Sequence, residues 1–383
     1  MKTKTLTRSL LAASIALAAA GSVQAADMRI NGFISVVAGK TLSEGDNIRN
    51  SNGKATVTAD NPTDGIYDDD LDFKPDSIYG LQISSNLGEG LSVTGQITGA
   101  GGEDFEAKVS WAYVSYALND EWTVNAGRQR LPFFFYSDFL DVGYAYHWMR
   151  APTETQVPFD TLDGVQFTWQ GLTGDWDSRV QIYAGSSEAE TAGTGVIGLD
   201  NAIGAVFYTS NDWLQLRATY MTSEFWGEDL PTQTEDNPVD VWFGGLTAHA
   251  TFGNTFVVAE YVTYEFDDAI EGAGWTDYEG AYISLGHRIN DFTPHITFST
   301  YKQDVENAVP VNAAGTPLIA QLLPKSTEES EAITIGVRWD FHPSAAFKME
   351  YTIRSDESKS DFKAAYGDRN DVDLISAGVD VIF

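Results

Sequence analysis

The sequence predicts an all-β protein: a sixteen-stranded antiparallel transmembrane β-barrel with one long loop folded inward. Three observations carry this prediction. Stretches of about ten residues alternate apolar and polar side chains along nearly the whole chain. The connectors between them alternate between short turns and long loops. One connector, residues 131–161, holds nine aromatic side chains from Phe133 to Phe159 and the prolines Pro132, Pro152 and Pro158, with no period of 2 or 3.6. Loops are normally short and polar, so an apolar one of this length has to be covered by something.

In chain order the alternating stretches are 28–39, 75–86, 90–100, 106–118, 122–130, 162–171, 176–186, 200–210, 213–224, 240–253, 255–266, 277–289, 292–302, 331–341, 346–356 and 371–383. Short turns fall at Asn86–Gly90, Asn119-Asp120, Gly171–Gly174, Asn211-Asp212, Gly253-Asn254, Asn290-Asp291 and His342-Pro343-Ser344. Each carries Gly, Pro, Asn or Asp, the residues that relieve tight-turn backbone constraints. The longer connections are 40–74, 101–105, 131–161, 187–199, 225–239, 267–276, 303–330 and 357–370. Short turns at one end and long loops at the other is the pattern of bacterial outer-membrane barrels, with both termini on the short-turn side.

Period-2 reading gives each strand two faces. Ile333, Ile335, Val337, Trp339 and Phe341 oppose Thr334, Gly336, Arg338 and Asp340, and Ile375, Ala377, Val379, Val381 and Phe383 oppose Ser376, Gly378 and Asp380. A soluble sandwich alternates in the same way but turns its polar face to bulk water. Aromatics near strand ends, such as Trp122, Trp176, Trp213, Phe256, Phe292 and Phe347, fit an interfacial girdle.

Composition sets the compartment. Lys2, Lys4 and Arg8, the apolar run Leu10–Ala20 and the small residues of Val23-Gln24-Ala25 form a secretory signal peptide over residues 1–25, leaving a barrel domain over 26–383. Loss of those three bases leaves 20 basic against 55 acidic residues, a net charge of −35. A chain so acidic is not a nucleic-acid binder, because phosphate contact needs a basic surface. Cysteine is absent, which removes disulfide frameworks and thiolate metal sites.

A terminal Phe383 closing an alternating strand, sixteen strands, eight loops and an elaborate third loop resemble the Gram-negative trimeric porins. The start of that loop, Gly127-Arg128-Gln129-Arg130-Leu131-Pro132-Phe133, resembles the general-diffusion and phosphate-selective groups of the family. The resemblance implies a homotrimer in outer-membrane lipid and passive diffusion of small hydrophilic solutes and ions. Two alternatives stand beside it: a substrate-selective anion or sugar channel with Phe133–Tyr146 as an aromatic slide, and a barrel-borne hydrolase.

The residues expected to line the constriction are charges on polar strand faces and on the third loop: Asp138, Asp141, Glu154, Arg179, Arg217, Arg338 and Arg354. Arg or Lys facing lipid costs roughly 2–4 kcal/mol at the midplane, so the lumen is their expected place. Asp138 and Asp141 are expected opposite Arg338, with Arg217 on the wall nearer the loop, and opposed fixed charges set selectivity. Arg128 and Arg130 fall on the apolar phase of their strand, so either a bulge shifts that phase or they lie above the membrane.

Catalytic and cofactor chemistry find little support. None of His147, His249, His287, His295 and His342 lies in a recognisable nucleophile context, so no catalytic residue and no enzyme activity are expected. Asp68-Asp69-Asp70-Leu71-Asp72 begins like a calcium loop, but Phe73 and Tyr79 stand where an EF-hand needs Gly and Glu. A loosely held surface cation is the most it offers; no cofactor and no metal site are expected. Topology is testable directly: a cysteine replacing Ser51 or Ala313 labels on intact cells with an impermeant reagent, whereas one replacing Asn119 or Asn290 stays dark. The reverse pattern overturns the orientation.

Overall fold

The computed structural model describes residues 27–42, 57–58, 66–191, 195–230, 233–267, 275–305, 326–360 and 371–383. The signal peptide expected over 1–25 lies outside the described residues. Sixteen antiparallel strands close into one barrel. They are β1 Asp27–Thr41, β2 Ile78–Gly88, β3 Leu91–Ala100, β4 Lys108–Ala117, β5 Trp122–Arg130, β6 Thr161–Thr173, β7 Trp176–Thr191 and β8 Gly195–Ser210. Then follow β9 Leu214–Gly227, β10 Val239–Phe252, β11 Thr255–Phe266, β12 Trp275–His287, β13 Phe292–Val305, β14 Ser326–His342, β15 Ala345–Asp356 and β16 Val372–Ile382. Each strand pairs with its chain neighbours, and β16 returns to β1. A two-residue hairpin, Val57-Thr58 with Ile66-Tyr67, sits between β1 and β2.

Among the described residues no helix is long and apolar enough to cross a membrane. The outer face of the strands is instead an apolar band. Ile335 is 54% exposed and Leu246 61%, while Lys348 on an inward face is fully buried. Exposed Ile, Leu, Val and Phe on strand after strand would be an aggregation hazard in water and match hydrocarbon. Paired aromatic rings stand at strand ends, Trp213 on Phe252 at 5.5 Å and Phe292 on Trp339 at 5.8 Å, whereas Phe256 turns inward and packs on His147 at 4.8 Å.

One stretch departs from the sequence expectation. Residues 187–199 read as a loop, yet β7 and β8 extend over 187–191 and 195–199 in register, with Ile197 opposite Ala189 and Gly195 opposite Thr191. The reason is on the inner face. Ile197 and Leu199 pack with Phe159, Phe225 and Leu230, and that burial outweighs the Gly, Ser and Glu that made the segment look like a connector. The ladder slips between Leu199 and Ala202, where Asn201 takes a left-handed φ of 52°.

β16 pairs with β1 from Phe33 opposite Ile382 to Thr41 opposite Leu374, and the last residue completes the seam. The Gly32 amide donates to the Phe383 carbonyl at 2.8 Å, and the Phe383 amide donates back at 3.0 Å. A Cβ at Gly32 would lie 2.4 Å from the tip of the Phe383 ring, so a side chain there has to displace that ring. An open sheet edge does not survive in lipid. Deleting Phe383 is expected to lower the yield of folded, heat-modifiable barrel on gels, and Gly32→Leu is expected to do the same while export to the periplasm is unchanged. Normal folding of both variants would remove this role.

Candidate functional site

Residues 131–160 leave the sheet after β5 and cross the lumen. Their backbone forms only three single 3-10 turns, at Ser137–Phe139, Gly143–Ala145 and Thr153–Thr155. The rest of the peptide groups need partners from outside the segment, because a buried amide without one costs about 1–3 kcal/mol. The barrel wall supplies them.

The first turn of the loop is held by β9 and β11. Arg217 Nη1 donates to the Phe133 carbonyl at 2.8 Å and Nη2 to that of Pro132. Glu260 accepts the Phe135 amide at 2.7 Å, the Thr247 hydroxyl at 2.9 Å and the Tyr282 hydroxyl at 3.1 Å. Apolar contact adds to this, with Phe133 stacked on Phe243 at 4.2 Å. Tyr136, Tyr146, Trp148, Val258 and Tyr282 form a second buried cluster.

Further along, Arg338 of β14 donates to the Tyr144 and Tyr146 carbonyls at 2.6 and 2.7 Å. The Tyr144 hydroxyl reaches Pro343 in the β14–β15 turn at 2.8 Å, so the loop descends to the short-turn end of the barrel. Lys348 Nζ donates to the Gly143 and Trp148 carbonyls at 2.6 and 2.5 Å and pairs with Asp380 at 2.8 Å. Glu350 accepts the Met149 amide at 2.7 Å, and the Trp148 indole donates to Thr297 at 2.7 Å. Glu154 pairs with Arg354 at 2.5 Å, and its carbonyl accepts the Tyr278 hydroxyl at 2.7 Å. Gly280 lets that carbonyl in, since a Cβ there would lie 1.8 Å from it.

Two groups outside the strands show what the enclosure does to charge. Burial, with His295 next in weight, holds the His147 imidazole well below its ordinary pKa, and its Nε2 shares a hydrogen bond with Ser284 at 2.9 Å. Burial also raises the Asp76 carboxyl, against the opposing pull of Arg150 and a 2.9 Å hydrogen bond from Tyr67.

The seven residues expected at the constriction therefore divide. Glu154 and Arg354 meet, a buried carboxylate with a half-buried guanidinium, and the pair fixes the loop to the wall. Asp141 does not face Arg338: it pairs with Arg130, which also binds Asp160 at 2.8 Å. Arg338 is bound to loop carbonyls and to Asp340. Arg217 is nearer the loop, as expected, but 8% exposed and occupied by loop carbonyls. Asp138, Arg179 and Arg217 line a cavity of about 600 Å³ at the short-turn end. The two open arginines are also placed. Arg128 keeps its phase and pairs outside with Asp163, both about half exposed; Arg130, at the end of β5, is buried.

Several anchors escaped the sequence reading. Glu260 is one, and its signal was available: β11 is apolar on both faces, with Val258 and Val262 fully buried, which marks a stretch of lumen covered by something. The carboxylates of Asp68, Asp69 and Asp70 lie within 4.8 Å of one another on a mostly exposed segment, an arrangement common without any ion.

A sixteen-stranded closed barrel with a loop pinned across its lumen is the fold of the outer-membrane porins. The comparisons agree. The anion-selective porin of Comamonas acidovorans superposes with a TM-score of 0.56 at 13% identity, over 94% of this chain and 100% of that one. The outer membrane channel DcaP of Acinetobacter baumannii gives 0.57 at 13% identity, over 94% and 99%. The trimer form of OmpT, an outer membrane protein of Vibrio cholerae, gives 0.56 at 11% identity, over 94% and 100%. Identities this low show a shared fold. No family model matches the chain. Macrocypin-1a of Macrolepiota procera is 26% identical over 154 residues, 40% of this chain and 75% of that protein, a partial likeness that shows no family.

The anchors make a quantitative expectation. Removing one partner of a buried, hydrogen-bonded ion pair costs about 3–5 kcal/mol, because the other charge is stranded. Lys348→Met is expected to destabilise the folded barrel by about that much in a denaturant titration, and adding Asp380→Leu is expected to recover part of it. A double variant no more stable than the single one would show that the loop carbonyls, not Asp380, are what Lys348 serves.

Proposed function

We propose that this chain is an outer-membrane channel through which small hydrophilic solutes and ions diffuse passively, assembled as a homotrimer. The observation that carries this reading is the loop itself: it is fixed across the lumen by wall charges, and a cavity lined by both charged and aromatic side chains remains beside it. An apolar outer face supports placement in lipid. The trimer rests on the form named for the OmpT structure and on the family resemblance.

Sieving comes from the loop, and the electrostatic bias comes from charges still facing the opening. Asp138 is exposed on the loop, and Arg179 on β7 is half-buried over the Tyr208 ring at 5.2 Å. A unit charge at about 4 Å from a passing ion contributes on the order of 1 kcal/mol in water, enough for a several-fold change in permeability ratio. With a formal charge of −32 the protein is expected to prefer cations weakly at low salt, the preference fading as screening shortens.

Planar-bilayer recording tests the proposal. Stepwise conductance is expected, and removal of residues 133–146 raises it. Asp138→Asn moves the reversal potential toward anions and Arg179→Gln moves it toward cations, each several-fold in permeability ratio. An unchanged conductance after loop shortening would mean that the segment is not the constriction. Absence of any step, together with hydrolytic turnover that a histidine substitution abolishes, would replace the channel reading by an enzyme.

A further inference from the structure

The cavity at the short-turn end has a composition that a plain sieve does not require. Its wall comes from one rung of the barrel, in which Gln170, Arg179, Tyr208 and Arg217 are consecutive register partners on β6 to β9. Arg217 spends two of its nitrogens on the loop carbonyls. Arg179 is different: it is half-buried in the cavity wall with its guanidinium over the Tyr208 ring, and no loop carbonyl or carboxylate among the described residues engages it. It is the wall cation positioned to take an acceptor from a solute.

The opposite side belongs to the loop. Phe134, Phe135 and Phe139 present aromatic surface to the cavity, and Asp138 stands exposed between them. Asp177, next on the inward face of β7, and Asp120 in the β4–β5 turn add two more carboxylates. Two arginines against three aspartates leave the lining at a formal −1. A dianion such as phosphate would be repelled by those carboxylates, and a neutral sugar would leave both kinds of charge without a partner. A zwitterion satisfies both.

We propose that this cavity is a subsite for free α-amino acids with apolar or aromatic side chains. The carboxylate is held by Arg179, the ammonium by Asp138 with Asp177 nearby, and the side chain lies against the Phe134, Phe135 and Phe139 rings. The volume of about 600 Å³ suits a ligand of that size with a few waters. Charge-assisted hydrogen bonds to a guanidinium fix the carboxylate end, and ring contacts favour aromatic over small side chains. The inference rests on the channel reading, and makes the channel one that retains such solutes on their way through.

Two measurements separate the inference from that reading. In the first, L-phenylalanine is titrated against the detergent-folded protein by equilibrium dialysis, a readout that needs no current. Saturable binding in the millimolar range or tighter is expected, with 3-phenylpropionate, L-phenylalaninamide and glucose each at least tenfold weaker. In the second, L-phenylalanine added during bilayer recording is expected to produce concentration-dependent current interruptions. Arg179→Gln is expected to weaken L-phenylalanine binding at least tenfold. Asp138→Asn is expected to narrow the gap between L-phenylalanine and 3-phenylpropionate, a change in preference that a misfolded protein would not give. Conductance without L-phenylalanine binding overturns the subsite and leaves the channel. Equal binding of 3-phenylpropionate overturns the zwitterion assignment. Binding without conductance supports the subsite and overturns the channel reading.

Discussion

The structure depends on one constraint: about thirty residues of backbone run through a lumen where no sheet can pair them. Their peptide groups are satisfied instead by charged side chains of the wall. Carbonyls of Pro132, Phe133, Gly143, Tyr144, Tyr146 and Trp148 receive donors from Arg217, Lys348 and Arg338. Amides of Phe135 and Met149 are accepted by Glu260 and Glu350. A buried ion is tolerated only when hydrogen bonds replace its hydration, and a fixed peptide group does that. Loop and wall charges therefore each make the other's position affordable.

This changes what a lumen charge means. Counted along the sequence, Arg217, Arg338, Lys348 and Arg354 form a basic wall opposite acidic loop residues, which suggests a strong transverse field. In the folded barrel Arg354 and Lys348 are paired with Glu154 and Asp380, Arg338 with Asp340, and Asp141 with Arg130. The charges left exposed or half-buried at the cavity beside the loop are Asp120, Asp138, Asp177 and Arg179.

The barrel was legible because strand period and turn chemistry are local. β14 and β16 alternate cleanly, and turns such as Asn290-Asp291 and His342-Pro343-Ser344 carry their own reason for bending. The partners in the lumen were not legible. Glu154 and Arg354 were both candidates, but their contact spans 200 positions and depends on how high each strand sits in the barrel. Arg130 stayed open for a related reason: its phase is apolar, and its burial follows from the return of the loop at Asp160. The β7–β8 hairpin was hidden because its outer composition is that of a loop, while Ile197 and Leu199 decide its fate from within.

The interior is therefore two-sided. From β7 to β12 the lumen face is largely apolar, with Tyr183, Val206, Met221, Phe243, Val258, Val262 and Tyr282 buried under the aromatic loop. The wall of β2, β3 and β6 presents Gln82, Ser84, Ser92, Thr94, Thr98 and Thr168, all half-exposed. An aqueous path needs the second kind of surface, because a narrow apolar constriction sheds water. Packing the loop against one side thus does two things at once: it buries the apolar wall and leaves the hydroxyl and amide side half-exposed. The aromatic residues that made 131–161 improbable as a loop are what cover that apolar wall, and at the short-turn end they meet Asp177 and Arg179 across the cavity beside them.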